Sequence, residues 1–263
     1  MPKDSPILKM NNISISFGGL QALRDINIET ERNTVHGIIG PNGAGKTTLF
    51  NIVTGIYKPT TGQIFMEEKD MSGIKPHQLV TLGISRTFQN IRLFQKMSVI
   101  DNVLIGQHTH SPTPVLSILV QGKKAAQAES AARERAMEAL NAMGMAHKAE
   151  DMVANLSYGQ QRLIEFARAL AAQPKVILLD EPAAGMNPTE KANLFNIITK
   201  LRDQGYTFVL IEHDMKLVMN ICDTISVLDH GQVISQGKAE EVRNNPDVIS
   251  AYLGRRKYQN ARD

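Results

Sequence analysis

The stretch Gly40-Pro41-Asn42-Gly43-Ala44-Gly45-Lys46-Thr47, followed by Thr48, decides how this chain is built. It matches the phosphate-binding pattern GxxxxGK[ST], and we call residues 40–47 the P-loop. Its glycines allow backbone N–H groups to surround phosphates, Lys46 can reach the β- and γ-phosphates, and the Thr47 hydroxyl can ligate Mg²⁺. The alternative is a glycine-rich turn that binds nothing. We predict a site for a nucleoside triphosphate and Mg²⁺.

The segments around the P-loop predict strands that alternate with a helix. Residues 35–39 form a short apolar run before the loop, and residues 47–53 predict a helix whose positive end points at the anion. Upstream, alternation over residues 8–17 predicts a half-buried strand. Residues 62–66 and 83–88 also predict strands.

A long helical pattern, from about residue 90 to residue 170, interrupts this alternation, which then returns. Residues 176–179 are a continuous apolar run, typical of a strand buried on both faces. A second buried strand is predicted at 207–211, and His230-Gly231 predicts a hairpin turn. We therefore expect an α/β fold with a largely parallel sheet.

The division into domains follows from that interruption. We place a nucleotide-binding α/β core at residues 1–89 and 165–263, and an inserted helical subdomain at 90–164.

Two adjacent carboxylates, Asp180 and Glu181, end the apolar strand 176–179. In phosphoryl transfer Asp180 can hold Mg²⁺, and Glu181 can orient and deprotonate an attacking water. A carboxylate that activates water favours a hydrolase over a kinase, which must exclude water. His213 follows strand 207–211, and parallel strands deliver their carboxyl ends to one crevice, so His213 can contact the γ-phosphate. The alternatives are solvated acids and an incidental histidine.

A second helix start, at Ser157, has the features of an anion site. Ser157 and Gln160 fit a capping box ahead of an amphipathic helix. The functional interpretation is that Ser157 and the Gly159 N–H bind an anion. The alternative is a well-capped helix and nothing more.

Composition excludes several other classes of protein. The 263 residues carry a net charge of only +3, with both signs interspersed, so we expect no nucleic-acid partner. The single cysteine, Cys222, cannot form an internal disulfide, and we expect it to be buried. We see no signal peptide and no apolar stretch of the ~20 residues that a membrane span needs, and we expect a soluble chain.

The order and spacing of the P-loop, LSYGQQR at 156–162, LLDEP at 178–182 and IEHD at 211–214 resemble those of the ATP-binding cassette (ABC) ATPases, over essentially the whole chain. The resemblance implies a P-loop, RecA-like core with an N-terminal antiparallel β subdomain and an inserted α-helical subdomain. It also implies that ATP and Mg²⁺ bind between two subunits arranged head to tail. In that arrangement the signature motif around Ser157 of one subunit contacts the γ-phosphate held on the P-loop of the other.

Further site residues are implied by the resemblance alone. Phe17 resembles the aromatic residue that stacks on adenine, with a core strand residue as the alternative, because Ile13 and Ile15 share its face. Gln89 resembles the Q-loop glutamine, which contacts Mg²⁺ and water and links the core to the helical lobe. Residues 183–188 resemble the D-loop, which crosses the dimer interface.

The motifs depart from the commonest family pattern at two positions. Tyr158 stands where the signature most often has Gly, and Asn187 stands where the D-loop has Asp. Both departures put in doubt the fine geometry of the contacts between subunits.

Five stretches are similar to the LivG-type ATPases of bacterial branched-chain amino acid importers: 86–94, 183–188, 211–219, 244–249 and 251–254. The resemblance implies a second ATPase subunit, either a LivF-type paralogue or a second copy. It also implies two transmembrane permease subunits, an indirect link to a substrate-binding protein, and a peripheral position on the cytoplasmic face of the inner membrane. Leu93 and Phe94 are our candidates for the groove that receives a permease helix. The alternatives are a lipopolysaccharide-export ATPase, a non-transport ABC protein and a P-loop kinase.

Overall fold

The structure is a computed structural model that describes residues 5–87, 89–107 and 122–253, without the side chains of 122–125 and Leu253. Phe88, the last residue of the predicted strand 83–88, lies outside the described residues, as do most of the segment between 108 and 125 and the basic tail after Leu253.

The described residues form the following strands and α-helices. The strands are β1 (Leu8–Phe17), β2 (Leu20–Thr30), β3 (Val35–Ile39), β4 (Thr61–Met66), β5 (Lys69–Asp70), β6 (Ile84–Arg86), β7 (Val176–Asp180), β8 (Thr207–Ile211), β9 (Thr224–Asp229) and β10 (Gln232–Gly237). The α-helices are α1 (Lys46–Val53), α2 (Val99–Ile105), α3 (Gly122–Ala142), α4 (Tyr158–Ala171), α5 (Pro188–Asp203), α6 (Met215–Ile221), α7 (Ala239–Arg243) and α8 (Pro246–Leu253).

A six-stranded sheet with the order β10-β9-β3-β8-β7-β6 forms the centre of the fold. Its strands pair in parallel except β10, which pairs antiparallel to β9. Successive residues of β7 alternate between two hydrophobic clusters: Ile177 and Leu179 pack with the helices, whereas Val176 and Leu178 pack on the opposite face. The prediction of a strand buried on both faces is therefore confirmed.

A four-stranded antiparallel sheet with the order β2-β1-β4-β5 covers one face of the central sheet. Helix α1 lies in the same hydrophobic cluster, where Leu49 and Phe50 are buried with residues of β1 and β2. The predicted α/β fold with an N-terminal antiparallel β subdomain is confirmed.

The other hydrophobic cluster joins the helical insertion to the central sheet. It contains Val99 of α2, Leu140 of α3 and Ile164 of α4 together with Val35 of β3. The predicted boundary between residues 164 and 165 falls inside α4, which runs without a break from Tyr158 to Ala171. The division into subdomains stays a prediction.

Several local predictions can be compared with the elements. Strand β6 begins at Ile84, one residue later than predicted, because Gly83 adopts a left-handed conformation (φ 81°) that ends the preceding 3₁₀ turn. The predicted hairpin turn is confirmed: His230 and Gly231 both have positive φ, which suits a tight connection between β9 and β10. Cys222 is buried and free, as expected. Among the described helices, none has an apolar stretch sufficient to cross a bilayer.

Candidate nucleotide-binding site

The P-loop connects β3 to α1 and turns sharply at its glycines. Gly40 has a φ of 148°, and a Cβ there would lie 2.0 Å from the Leu228 carbonyl oxygen. Gly45 has a φ of 104°, and a Cβ there would lie 2.5 Å from Leu23 Cδ2. Larger residues at these two positions would force the loop away from the strands that hold it.

Helix α1 begins without a side-chain cap. Its N-cap residue is Gly45, no side chain accepts a hydrogen bond from the first turn, and that turn contains no acidic residue. The first N–H groups of a helix have no partner within the helix and carry the positive end of its dipole. This helix end therefore offers its N–H groups to an anion in the P-loop.

Lys46 lies almost fully buried beneath the loop. Its Nζ donates to the carbonyl oxygens of Gly40 and Pro41, at 2.6 and 2.9 Å. Burial lowers the pKa of the Lys46 ammonium, while the nearby carboxylates of Glu181 and Asp180 act in the opposite direction. The ammonium is thus held between the loop and two acids, next to the start of α1.

A cavity of about 430 Å³ lies above the P-loop, within the usual size range of small-molecule sites. We call it the P-loop cavity. The P-loop and the residue after it line the cavity floor from Asn42 to Thr48, and Glu181 and His213 line it from the ends of β7 and β8. Gly40, Pro41, Gln89 and Asp180 do not line this cavity.

Asp180, the last residue of β7, is buried and paired with Arg86. Arg86 Nη2 donates to Asp180 Oδ2 at 2.7 Å, and Arg86 Nη1 donates to Asn51 Oδ1 and Thr54 Oγ1 at 2.9 and 3.0 Å. One guanidinium therefore ties strands β6 and β7 to helix α1. Sequence analysis did not identify this role of Arg86, because its ion-pair partner is 94 residues away.

Glu181 is the meeting point of three predicted site residues. Gln89 Nε2 donates to Glu181 Oε2 at 3.0 Å, and His213 Nε2 contacts Glu181 Oε1. The backbone of Glu181 is left-handed (φ 47°), which costs about 1–2 kcal/mol for a residue with a side chain, and its N–H donates to the Ile211 carbonyl oxygen. This turn directs the carboxylate into the P-loop cavity. Gln89 and His213 are 124 positions apart in the sequence, and the fold brings both into contact with Glu181.

Glu212, which sequence analysis missed, holds the two loops that follow β7 and β8. Its Oε1 accepts from the Ala183 N–H and its Oε2 accepts from the His213 N–H, both at 3.1 Å. Burial raises the pKa of the Glu212 carboxyl group, and three backbone N–H groups, from Ala183, His213 and Asp214, oppose that rise. The position next to His213 was the only signal in the sequence.

The second predicted anion site lies at the start of α4, outside the P-loop cavity. Ser157 Oγ accepts from the Gln160 N–H at 3.3 Å, and Gln160 Oε1 accepts from the Ser157 N–H at 3.0 Å, so the predicted capping box is confirmed. Ser157 is exposed, whereas Gly159 is buried against Glu190: a Cβ at Gly159 would lie 2.3 Å from Glu190 Oε1. We call Ser157, Gly159 and Gln160 the signature tip.

The two departures from the family pattern each have a local role. The Tyr158 ring lies against Gly185, where a Cβ would be 2.8 Å from the ring, so it joins the signature tip to the 183–188 loop. Asn187 caps α5: its Oδ1 accepts from the Glu190 N–H at 2.9 Å. Asn187 therefore keeps the hydrogen bond that an Asp would make there.

Phe17 is not a core residue, so the alternative interpretation of this aromatic is wrong. Ile13 and Ile15 are buried, whereas Phe17 lies at the end of β1, beyond the last pair with β4 at Ser14, and is 43% exposed. Its ring packs edge-on against Tyr57, with 5.1 Å between centroids. Phe17 itself does not line the P-loop cavity, but Leu20, three residues on, does.

Part of the cavity wall comes from residues that sequence analysis did not assign to the site: Leu20, Gln21, Ala22, and the predicted hairpin turn His230-Gly231. The hairpin turn is hydrogen-bonded to the P-loop, because the Gly231 N–H donates to the Ala44 carbonyl oxygen at 3.1 Å. No motif signals this wall, which arises from the packing of β2 and the β9–β10 turn.

Comparison with known proteins places this arrangement in a family. Residues 23–184 match the ABC transporter family model, and residues 232–258 match the model described as branched-chain amino acid ATP-binding cassette transporter. The chain is 45% identical over 250 residues to the high-affinity branched-chain amino acid transport ATP-binding protein LivG of Salmonella typhimurium, covering 95% of this chain and 98% of that protein. It is 44% identical to BraF of Pseudomonas aeruginosa, a protein with the same description, over the same shares of both chains.

A solved structure has the same fold. The crystal structure of a nucleotide-free ATP-binding cassette from an ABC transporter superposes with a TM-score of 0.82 at 36% identity, covering 95% of this chain and 99% of the other. A related cassette in its ADP conformation superposes equally well, with a TM-score of 0.82 at 35% identity. With the P-loop, the carboxylates after β7 and the signature tip in this fold, the chain belongs to the ABC transporter family, as an ABC ATPase.

Proposed function

We propose that this chain is the ATPase subunit of a branched-chain amino acid importer, and that it works by closing and reopening a dimer around ATP. The match of residues 232–258 to the branched-chain family model and the 45% identity to LivG support the substrate class. In this proposal the site residues bind ATP and Mg²⁺ and not the transported amino acid, which is selected by other subunits of the transporter.

One observation carries the dimer: the site is split within a single chain. The P-loop cavity has phosphate-binding residues on its floor and Glu181 and His213 at its edge, yet the signature tip contributes nothing to its lining. Ser157 of the signature tip is exposed, and the tip begins a well-formed helix. Two chains arranged head to tail bring each signature tip over the P-loop cavity of the other and enclose two ATP molecules.

ATP binds with its phosphates on the N–H groups of the P-loop and of the start of α1, with Thr47 and Thr48 beside them. Lys46 leaves the carbonyls that it now contacts and reaches the β- and γ-phosphates. Phe17 and Tyr57 pack against each other and are both exposed, so a purine ring can stack on Phe17.

The donor set also fits Mg²⁺. Thr47, Asp180 and Gln89 offer a hydroxyl, a carboxylate and an amide oxygen, which are the hard oxygen ligands that Mg²⁺ prefers. Asp180 ends β7, and Thr47 and Gln89 follow β3 and β6, so all three residues lie after or at the ends of strands of one sheet. Bound Mg²⁺ would neutralise phosphate charge.

Glu181 is the base that orients and deprotonates the attacking water, because its carboxylate faces the cavity next to His213. His213 contacts the γ-phosphate, and Gln89 ties this site to the loop that enters the helical lobe. The signature tip of the partner chain stabilises the same phosphate from the other side. Hydrolysis and phosphate release remove this bridge, and the dimer reopens.

The partners in this proposal are a LivF-type second ATPase or a second copy, two transmembrane permeases, and a binding protein linked through them. The chain lies peripherally at the cytoplasmic face of the inner membrane. Phe94 is 53% exposed, whereas Leu93 packs against the core. Phe94 therefore stays our candidate for contact with a permease helix, and Leu93 supports it from below.

The dimer can be tested with Glu181→Gln. This variant keeps the ATP-binding residues, and loss of the base lowers kcat by about 10²–10⁴-fold. Sedimentation with ATP and Mg²⁺, alone and with the second ATPase, should show a stable dimer. The matched control is Glu181→Gln with Lys46→Ala, which should stay monomeric. A monomer under every condition would rule out the clasped dimer, and normal turnover would remove Glu181 as the base.

The substrate class needs a separate test. Cells that lack this chain should lose uptake of leucine, isoleucine and valine, and uptake should return with the wild type but not with Lys46→Ala. Unchanged uptake of all three, with loss of an unrelated solute, would contradict the substrate assignment and leave the ATPase mechanism intact.

A further inference from the structure

A buried cluster of charges on helix α4 holds the segment that carries Gln89. The cluster consists of Arg162, Glu165 and Arg168, which follow one another at three-residue spacing and so share one face of the helix. Glu165 Oε2 lies 3.2 Å from Arg162 Nη1, and Glu165 Oε1 lies 3.7 Å from Arg168 Nη2. The side chains of Arg162 and Glu165 are only 3% and 2% exposed.

Both arginines donate to backbone carbonyl oxygens of residues 89–92. Arg162 Nη2 donates to the Gln89 carbonyl oxygen, and Arg168 Nη1 donates to the Arg92 carbonyl oxygen at 2.5 Å. The two ends of this four-residue segment are therefore attached to the same helix. Glu165 lies between the arginines and holds their guanidinium groups at the spacing that the segment needs.

The same arginine reaches the signature tip. Arg162 Nη2 lies 3.1 Å from the Tyr158 hydroxyl oxygen, and the guanidinium carbon lies 5.5 Å from the centre of the Tyr158 ring. Tyr158 in turn packs on Gly185 of the 183–188 loop. One guanidinium thus joins the Gln89 backbone, the start of α4 and, through Tyr158, the loop after β7.

Burial of this cluster costs desolvation free energy, because three charged side chains are removed from water. Burial raises the pKa of the Glu165 carboxyl group, although Arg162, Arg168 and the Arg92 backbone N–H oppose the rise. Burial likewise lowers the pKa of the Arg168 guanidinium. Apolar residues would fill the same space with less desolvation, and one attested use of such a cluster is to specify a single arrangement of the chain.

We propose that Arg162, held by Glu165, is a positioning residue for Gln89, and that it couples the water site of its own chain to the signature tip that serves the partner chain. This role rests on the ATPase cycle proposed above. Because Arg162 fixes the Gln89 backbone to α4, a displacement of Gln89 on ATP binding moves Ser157 with it. Each chain then offers its signature tip to the partner only when its own site is engaged.

The test is Arg162→Lys in the full chain. Lysine keeps the positive charge next to Glu165 but lacks the planar fork that reaches Glu165, Gln89 and Tyr158 together. Misplacement of a catalytic group by about 1 Å costs on the order of 10²-fold in rate, and we expect kcat to fall by about 10–100-fold. The KM for ATP should change by less than about threefold, because neither the P-loop nor Phe17 is touched.

A double-mutant cycle separates positioning from general damage. In a Gln89→Ala background Arg162→Lys should lower kcat by less than about twofold further, because both changes act through one group. Glu165→Gln, which keeps the shape of the side chain, should show the same non-additivity. The matched control is Arg133→Lys, in the exposed ion pair with Glu150 of the same lobe, and it should match the wild type.

The inference is overturned if Arg162→Lys retains wild-type kcat, or if its loss multiplies with that of Gln89→Ala. Should Arg162→Lys fail to fold, as judged by circular dichroism, Glu165→Gln carries the same test. The activity of the wild type distinguishes failure of the proposed function from failure of the role of Arg162. If the wild type shows no ATP hydrolysis that Lys46→Ala abolishes, the proposed function is contradicted. If the wild type is active and the Arg162 and Glu165 variants are fully active too, only the role of Arg162 is contradicted.

Discussion

Two helix starts, at α1 and at α4, are both proposed to bind the same phosphate, yet they are built in opposite ways. Helix α1 has a glycine at its N-cap and no side-chain cap, so its N–H groups are left for a ligand. Helix α4 has Ser157 at its N-cap and a complete capping box, so its first turn is already satisfied by its own side chains.

This difference indicates which of the two helix starts can bind an anion without a second chain. The N–H groups at the start of α1 have no side-chain cap and can be satisfied by phosphate. The P-loop also lines a cavity and has a buried lysine beneath it. The signature tip is capped by its own side chains without a ligand, and its Ser157 is exposed, which suits a surface that binds phosphate only when a second chain supplies it. Stability in the resting chain and affinity for phosphate are thus separated between the two halves of the composite site.

The largest expected effect comes from breaking the support of the P-loop side. Arg86→Met removes the cation that pairs with buried Asp180 and should lower the free energy of unfolding by about 3–5 kcal/mol, because an uncompensated buried charge remains. Urea denaturation measures this loss. The control is Arg133→Met, in an exposed pair, with an expected loss below about 1 kcal/mol. Equal losses in both variants would show that the Arg86–Asp180 pair does not support the P-loop side.

The next largest effect is expected from Lys46→Ala. Removal of a preorganised charge at the phosphates should lower kcat by about 10²–10³-fold and weaken ATP binding. Steady-state hydrolysis and calorimetry measure the two quantities. Lys148→Ala, in an ion pair on the helical lobe, is the control and should behave as the wild type. Retained hydrolysis in Lys46→Ala would mean that the P-loop cavity is not the site of the chemistry.

Substitutions of Ser157 test the role of the helix start at α4. Asp is as good an N-cap as Ser, so Ser157→Asp should keep the stability of the chain, whereas Ser157→Ala should lose about 1 kcal/mol. The added negative charge opposes phosphate, so Ser157→Asp should abolish the dimer that ATP forms with Glu181→Gln. Sedimentation and thermal unfolding measure the two effects. A Ser157→Asp chain that still dimerises would show that this tip does not face phosphate.

The smallest effect on hydrolysis is expected at Phe94, which belongs to neither helix start. Phe94→Asp should leave the ATPase activity of the isolated chain within about twofold, because the side chain is exposed and does not line the P-loop cavity. Amino acid uptake by the full transporter should fall. Unchanged uptake would remove Phe94 from the contact with the permeases.

Local patterns made much of the fold predictable. The burial of 176–179 on both faces, the hairpin at His230-Gly231 and the capping box at Ser157 each depend on residues close in sequence, and each is confirmed. Phe17 shows the limit of such patterns: simple alternation places it with Ile13 and Ile15, but it lies at the end of β1, beyond the last pair with β4, where its side chain is exposed.

Residue types at fixed short spacings were sufficient to predict the phosphate loop, the paired carboxylates and the family, because each of these features needs particular residues close together in the chain. Which distant groups meet is visible only in the folded chain: Arg86 with Asp180, Gln89 and His213 with Glu181, and Arg162 with the Gln89 backbone. Those contacts depend on how parallel strands and helix α4 stack, and sequence spacing carries no information about distances between elements that are brought together by a shared hydrophobic core.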